Sequence, residues 1–364
     1  MAESREIRGL SSTLLGVAAV LVVLAAMRAA EALLVPIVLA WFFAVLALPL
    51  VRALERRGLP LSLAVLAALA AAFGLLTGFF VLLLGSLSEL MEVGPRYLAE
   101  IRSRLAYTLD WWSAKGVVVD TWLPERWVDP KAVVDMASRT LRQVAGFLSS
   151  GTLVLLTMIF ILLEADGFRA RLVRAFGEHP RIDRMTRVAG ELQRYLGIKT
   201  LMSAVLGLTV GLWVAWMGLD FAVLLGLLAF ACHFIPNVGA LLAALPAMLI
   251  AFVQHDPAHA MLVGLGYLVV GVVLGSVAEP LLLGRRLGLS TLAVFLSLVF
   301  WGWLWGGAGM LLSVPLTLTI KIVADGDAEL HWLACLLDSG EPSPEPRRAA
   351  RSHPAGARTP SNPA

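Results

Sequence analysis

Apolar and polar positions fall in blocks along this chain. Long apolar runs recur from near the N-terminus to residue 323, cut by shorter polar segments in which arginine gathers. Leu14–Met27 and Leu33–Val51 pair across the short turn Arg28–Glu31, and Leu61–Leu87 makes a third span. Val144–Leu163 is a fourth, and Leu201–Met217 opens the second half. Phe221–Ile235 and Ala240–Val253 follow, parted by Pro236–Gly239. Then come Ala258–Ala278, the polar turn Glu279–Gly288, Leu289–Trp305, the interruption Gly306–Gly309 and Met310–Val323. About 20 apolar residues cross the ~30 Å hydrocarbon core of a bilayer as a helix. The pattern predicts an all-α polytopic membrane protein with about eight membrane-embedded helical elements.

The polar blocks add the organisation. Residues 1–13 read as a cytoplasmic N-terminus and 14–87 as scaffold membrane helices. Arg5 and Arg8 ahead of Leu14 resemble the start of a signal peptide, but further apolar runs follow at once, so Leu14–Met27 is read as the first membrane helix. Residues 88–143 carry eight acidic and eight basic side chains and read as an amphipathic extramembrane segment. Within it, Gly94 and Pro95 are expected to open a helix with Leu98, Ile101, Leu105, Leu109 and Trp112 on one face, ended by Gly116. Asp129 and Pro130 read as the start of another, which runs into the membrane helix 144–163. Residues 164–199 carry eight basic and five acidic groups and read as a cytoplasmic basic linker. There Ile182, Met185, Val188, Leu192 and Leu196 face one way and Arg184, Arg187 and Arg194 the other, which suits either an anionic membrane surface or a solvated surface helix. Residues 200–324 form the expected transport region, and 325–364 a disordered cytoplasmic tail rich in Pro, Ser and Arg.

Composition agrees with the pattern. Of 364 residues 59% are hydrophobic and 15% charged, and mean hydropathy is +0.82. Soluble domains carry about 25% charged residues. The sequence pI of 9.1 does not signal nucleic acid, because the basic residues sit in short loops between apolar runs. With the N-terminus inside, Arg52, Arg56, Arg57, residues 164–199, Arg285, Arg286 and the tail arginines all fall inside. Residues 88–143, Asp220, His255 and Asp256 then fall outside. Both termini are therefore expected in the cytoplasm, and the excess of arginine over lysine suggests a GC-rich bacterial genome. Cys232 and Cys335 suggest neither a disulfide nor a metal site. There is no HExxH, CxxC or P-loop, and no GxSxG with an evident partner histidine, so neither an enzyme, a cofactor nor a metal is expected.

The interruptions carry the functional reading. The stretch HFIPNVGALLAALP (233–246) places Pro236, Asn237, Gly239 and Pro246 inside an apolar region, and GMLLSVP (309–315) echoes its second half with Gly309 and Pro315. In the topology above, the pair 221–253 turns inside and the pair 289–323 turns outside. Two Gly/Pro-broken hairpins of opposite orientation point to a secondary-transporter site, because non-helical backbone at membrane depth must be buried in protein or line a cavity. The plainer reading of either break is a proline kink satisfied by neighbouring helices.

Three stretches, ELQRYLGIKTLMSAVLGLTVGL (191–212), FIPNVGALLAALPAML (234–249) and EPLLLGRRLGLSTLAVFLSLVFWGWLWGGAGMLLSVPLTLTIKIV (279–323), resemble the AI-2E family of bacterial transporters. The resemblance covers about residues 10–325. It implies a bacterial inner-membrane protein that exports a small hydrophilic solute such as autoinducer-2, or exchanges sodium for protons. It also implies a homo-oligomer, with a pentamer expected, and an elevator-like motion of the hairpin-bearing half. Pro236, Gly239 and Pro246 match the family's first hairpin, Glu279, Pro280 and Gly284 the turn, and Gly309 and Pro315 the second hairpin. Asn237, Ala240 and Arg285 depart from the family's usual residues, which leaves the substrate open.

Other residues admit two readings each. Glu279 ends an apolar run and is either a site of proton or cation coupling or a structural partner of Arg285 or Arg286. His233 is either hydrogen-bonded packing or a proton carrier. Asn237 offers an amide to a solute, and Lys321 is expected to snorkel to the interface. Gly207/Gly211, Gly271/Gly275 and Gly302/Gly306 suit close helix packing. Trp301, Trp303 and Trp305 suggest an interfacial belt. Trp111, Trp112, Trp122 and Trp127 suggest anchors for 88–143. The expected partners are the lipid bilayer and a small solute, with sodium or a proton, and no nucleic acid. The remaining alternative is a membrane scaffold that transports nothing.

Overall fold

The computed structural model describes residues 3–115, 151–165, 167, 171, 173–175, 180–236, 238–283, 288–325 and 330–338. In chain order the helices are α1 (Glu3–Ala29), α2 (Glu31–Arg56), α3 (Leu61–Ala114), α4 (Gly151–Ala165), α5 (Pro180–Trp216), α6 (Ala222–Cys232) and α7 (Gly239–Gln254). They continue with α8 (Pro257–Gly271), a π-helical turn (Val272–Ala278), α9 (Glu279–Leu283), α10 (Thr291–Ala324) and α11 (His331–Leu337). Among the described residues there is no strand, only an isolated bridge between Leu289 and Asp338. Five helical segments are long and apolar enough to cross a membrane: Glu31–Arg56, Leu61–Tyr97, Val188–Trp216, Pro257–Leu282 and Thr291–Ala324. Four shorter apolar helices accompany them. The all-α polytopic class is as expected.

Helix α2 is a two-faced wedge. Ala40, Ala44 and Val51 meet Ala64, Val65, Ala68 and Leu69 of α3 and Val154, Met158 and Leu162 of α4. Alanine on both sides lets the helices approach closely, as membrane packing requires where lipid is as apolar as leucine. The other face of α2, with Leu39, Phe42 and Val45, meets Leu192, Tyr195 and Leu196 of α5 and Leu312 and Val314 of α10. A separate core joins the later half of α5 (Leu206, Val210, Val214) to α6, to α7 through Ala243, Ala247 and Ala251, and to α8 through Ala260, Val263 and Tyr267. Gly207 and Gly226 make the α5–α6 approach possible: a Cβ on Gly207 would lie 2.7 Å from the Gly226 carbonyl oxygen. The packing role expected of Gly207 and Gly211 is met here.

Several boundaries differ from the sequence expectation. Helix α3 runs unbroken from Leu61 to Ala114, so Gly94 and Pro95 lie inside it rather than opening a new helix. One proline removes a single i→i−4 bond, and the strong helix formers around it carry the helix through. Likewise α5 is one helix from Pro180 to Trp216, with no division at 199–200. Helix α1 already begins at Glu3, and His331–Leu337 is helical inside the expected disordered tail. The second half of the 88–143 segment, with Trp122, Trp127, Asp129 and Pro130, and the tail beyond Asp338 lie outside the described residues. So do Asn237, Gly284, Arg285 and Arg286.

Two hairpins stand in opposite directions. The first is α6 and α7, turning between Cys232 and Gly239. The second lies within α10, where Trp305 (φ −129°, ψ 21°) and Gly306 (φ 58°, ψ −139°) leave helical geometry. There the chain reverses. Trp301 Nε1 donates to Thr317 Oγ1 at 3.1 Å, although 16 residues of straight helix would span about 24 Å. The positive φ at 306 favours glycine, so Gly306 makes the turn rather than serving as half of a packing pair. Pro246 and Pro315 sit inside continuous helix, as membrane proteins tolerate.

Candidate functional site

At the base of the first hairpin, Tyr97 Oη of α3 donates to Asp220 Oδ2 (2.6 Å), and Gln254 Nε2 at the end of α7 donates to Tyr97 Oη (2.7 Å). The amide of Asp220 donates in turn to Gln254 Oε1 at 3.1 Å. At the base of the second hairpin, Lys321 donates to the Gly288 carbonyl and pairs with Asp338 Oδ1 at 2.8 Å. Lys321 is thus a clasp rather than a snorkelling side chain. The second tip faces the α1–α2 turn: Trp305 Nε1 donates to Met27 O at 3.3 Å, and the Arg28 guanidinium lies 5.1 Å from the Trp303 ring centre. Trp301 and Trp305 are buried, so only Trp303 has the exposure a belt residue needs.

The turn at the first tip satisfies much of its own backbone. Ile235 N donates to Cys232 O (2.8 Å) and Gly239 N to Ile235 O (3.2 Å). Gly239 sits directly against the Cys232 carbonyl, where no side chain fits. The polarity at this break therefore comes from side chains.

Those side chains converge. Lys199 Nζ, on α5, donates to both carboxylate oxygens of Glu279, at 2.9 and 3.0 Å. His233, capping α6, places Nε2 3.6 Å from Glu279 Oε2 and Nδ1 2.9 Å from Ser203 Oγ of α5. With the ring hydrogen on Nε2, toward the carboxylate, Nδ1 accepts from the serine hydroxyl. Lys199 is 6% exposed and Ser203 0%. An ammonium and a carboxylate shut away from water persist only when paired and hydrogen-bonded, and here each has the other. Lys199 sits on α5 between two cores, one turn beyond Tyr195 and Leu196 and ahead of Leu206.

Glu279 owes its position to the π-helical turn that precedes it. Its amide bonds Leu274 O, five residues back, and the wider turn rotates the following residues relative to α8. Tyr267, Gly271, Gly275 and Glu279 then follow one another at four-residue steps along α8 and its extension. Gly271 lies under Ala240 and Gly275 under His233, each close enough that a Cβ would be in van der Waals contact, at 3.8 and 3.9 Å. Small residues here let α7 and the His233 ring lie against α8.

Of the residues singled out from sequence, the structure brings His233 and Glu279 together, with Pro236 and Gly239 in the turn beside them and Pro280 directly after the carboxylate. Pro246 lies farther along α7. Gly309 and Pro315 belong to the second hairpin, where Gly309 packs against the Trp301 carbonyl. Among the described residues Lys199 pairs with Glu279; the expected partners Arg285 and Arg286 lie outside those residues. Sequence reasoning passed over Lys199 as one cation of a basic linker. A signal was present: Leu192, Tyr195 or Leu196, Lys199, Ser203, Leu206 and Val210 follow helical spacing, which carries the lysine onto the buried face. Ser203 and His233 had no evident reason to meet in sequence.

A profile described as "AI-2E family transporter" matches residues 17–326. The chain is 37% identical over 321 residues to the AI-2 transport protein TqsA of Escherichia coli, covering 87% of this chain and 92% of that protein. It is 34% identical to a putative transport protein of Haemophilus influenzae, covering 91% and 97%. It is also 34% identical to the putative transport protein YhhT of Escherichia coli, covering 90% and 95%. These relatives are named as transport proteins, not enzymes. A multi-pass helical chain with such relatives, and a buried ion pair at a hairpin tip, is a bacterial membrane transporter with lipid and a small solute as partners, and it belongs to the AI-2E transporter family.

Proposed function

We propose that this protein is a secondary transporter of the inner membrane that exports a small hydrophilic solute of the autoinducer-2 type, with Glu279 as the coupling group. The observation that carries the reading is the Lys199–Glu279–His233 cluster at the tip of the first hairpin. Ionisable groups inside a membrane protein are expensive and mark ion or solute pathways. Lys199 acts as a built-in counter-ion. When a proton or sodium ion takes the carboxylate, the ammonium is released and the hairpin loses its tie to α5. The first hairpin with α8 then moves against the α2–α4 scaffold in an elevator-like step, and return of the pair resets it. Pro236 and Gly239 shape the solute side of the same tip. The second hairpin, with Gly309 and Pro315, borders the path. A homo-oligomer, with a pentamer as the expected state, is what the family resemblance implies.

A sodium/proton antiporter is the second reading. It is favoured by the cluster, because exchange of two cations at one carboxylate needs no organic solute. Flux in liposomes with an internal pH dye tests both. Wild type is expected to give a proton signal that requires either autoinducer-2 or sodium, and Glu279→Gln to abolish it. A signal with sodium alone selects the antiporter. A signal unchanged by both Glu279→Gln and Gly239→Leu removes the site. Silence from folded protein under every gradient, with no movement of radiolabelled solute, leaves the scaffold reading.

A further inference from the structure

A second site lies away from the Glu279 cluster. The last two turns of α2 and the neighbouring stretch of α5 border an open groove of about 560 Å³, lined by Pro49, Arg52, Ala53, Arg56, Gln193 and Arg194, among others. Three arginines, Arg52, Arg56 and Arg194, are among its lining residues, and no aspartate or glutamate is. Arg52 and Arg56 stand one helical turn apart, where like charges repel, and neither has an ion-pair partner among the described residues. Arginines gathered without a carboxylate among them favour an anion. Arginine forks bind phosphate oxygens in pairs.

The remaining wall chooses between kinds of phosphate. Gly190 and Gly197 leave the α5 side bare: a Cβ at either would meet nothing within 4 Å. Pro49, Ala53 and Ile198 are apolar. The groove sits where the apolar stretch of α2 gives way to its arginines, and basic side chains at the end of an apolar span suit a headgroup region. A free phosphate ion has no use for hydrocarbon walls, whereas a lipid phosphodiester brings glycerol and acyl carbons with it. Basic pockets between membrane helices bind such headgroups. Arg194 also donates to Leu282 O at 3.3 Å, so one wall of the groove touches the short helix that begins with Glu279.

We propose that the α2–α5 groove binds the phosphodiester headgroup of an anionic phospholipid, held by Arg52, Arg56 and Arg194. The proposal does not depend on transport. The full chain would be placed in phosphatidylcholine micelles with dioleoylphosphatidylglycerol added, and retained lipid counted by native mass spectrometry. Arg52→Ala, Arg56→Ala and Arg194→Ala are each expected to weaken retention roughly five-fold. Arg57→Ala, a neighbouring arginine outside the groove, is expected to leave it unchanged. Gly197→Phe fills the groove without altering charge and is expected to abolish retention. Equal loss in Arg57→Ala, or full retention in Gly197→Phe, would mean diffuse surface attraction and overturn the site. Displacement of the lipid by inorganic phosphate at equal concentration would reassign the groove to a soluble anion and overturn the lipid. Thermal melting of each variant separates a lost ligand from a lost fold.

Discussion

The two hairpins look alike in sequence and are opposites in structure. Both turn at a glycine or proline, both place a glycine against a carbonyl across the turn (Gly239 on Cys232, Gly309 on Trp301), and each contains a proline within helix. The first buries an ion pair and a histidine at its tip and packs on α5 and α8. The second buries two tryptophans at its tip, and its core is shared with α1, α2 and the earlier part of α5. A tip closed by indole rings and an N–H to a neighbouring backbone carbonyl is an anchor. A tip held by opposite charges can be released by a single proton or cation. Similar breaks therefore set up different mechanics, and the difference lies in what each tip touches.

The largest test of that contrast is the ion pair. Lys199→Met alone leaves Glu279 buried without its cation and is expected to cost about 3–5 kcal/mol, read as a lower unfolding temperature in detergent, with flux lost. The double variant Lys199→Met, Glu279→Gln should recover most of the stability and none of the coupled flux. Recovery of both would make the pair structural and erase the contrast between the tips.

A smaller effect separates the glycines. Gly239→Ala and Gly309→Ala should each destabilise by about 1–3 kcal/mol through overpacking. At matched amounts of folded protein only Gly239→Ala should depress transport. Equal transport defects would put the second hairpin in the moving part. Smaller again is Trp301→Phe, which removes the donor to Thr317 and should cost about 1 kcal/mol. It should leave the pH profile of flux where it was, whereas Ser203→Ala, by freeing His233 Nδ1, should move that profile.

The smallest expected effect lies beyond the first hairpin's base. Asp256 caps α8, accepting the His259 amide at 2.8 Å, and this bond, with a second from the His259 ring, holds its carboxyl below the ordinary carboxylate value. A depressed folded pKa gives a contribution that is present above the unfolded value and lost as pH falls through the folded one. The melting-temperature advantage of wild type over Asp256→Asn should therefore be constant near neutrality and fade from roughly pH 4 downward. An advantage that grows on acidification would reverse the sign.

Much of this was legible in the chain. The apolar runs and the two hairpins follow from periodicity and from Pro and Gly placement, and the cost of polar groups in lipid draws attention to Glu279 and His233, whose roles belong to the proposal. Gly94 and Pro95 do not open a helix, because one proline marks a point of weakness and not necessarily an end, and α5 runs through 199–200, where polarity shifts, as one helix. Lys199 was hidden for the same reason: its block reads as basic linker, yet it is on the same continuous helix as the span.

The sequence by itself determined a helical membrane protein, its reversals of direction and its kinship, since these depend on local composition and spacing. Only the tertiary structure decided which charge neutralises Glu279, that Ser203 and His233 meet, and that the two hairpins rest on different neighbours. Lys199 and Glu279 are separated by 80 residues. Such pairings follow from how helices pack, and packing is set by shape across the whole bundle rather than by any stretch of chain.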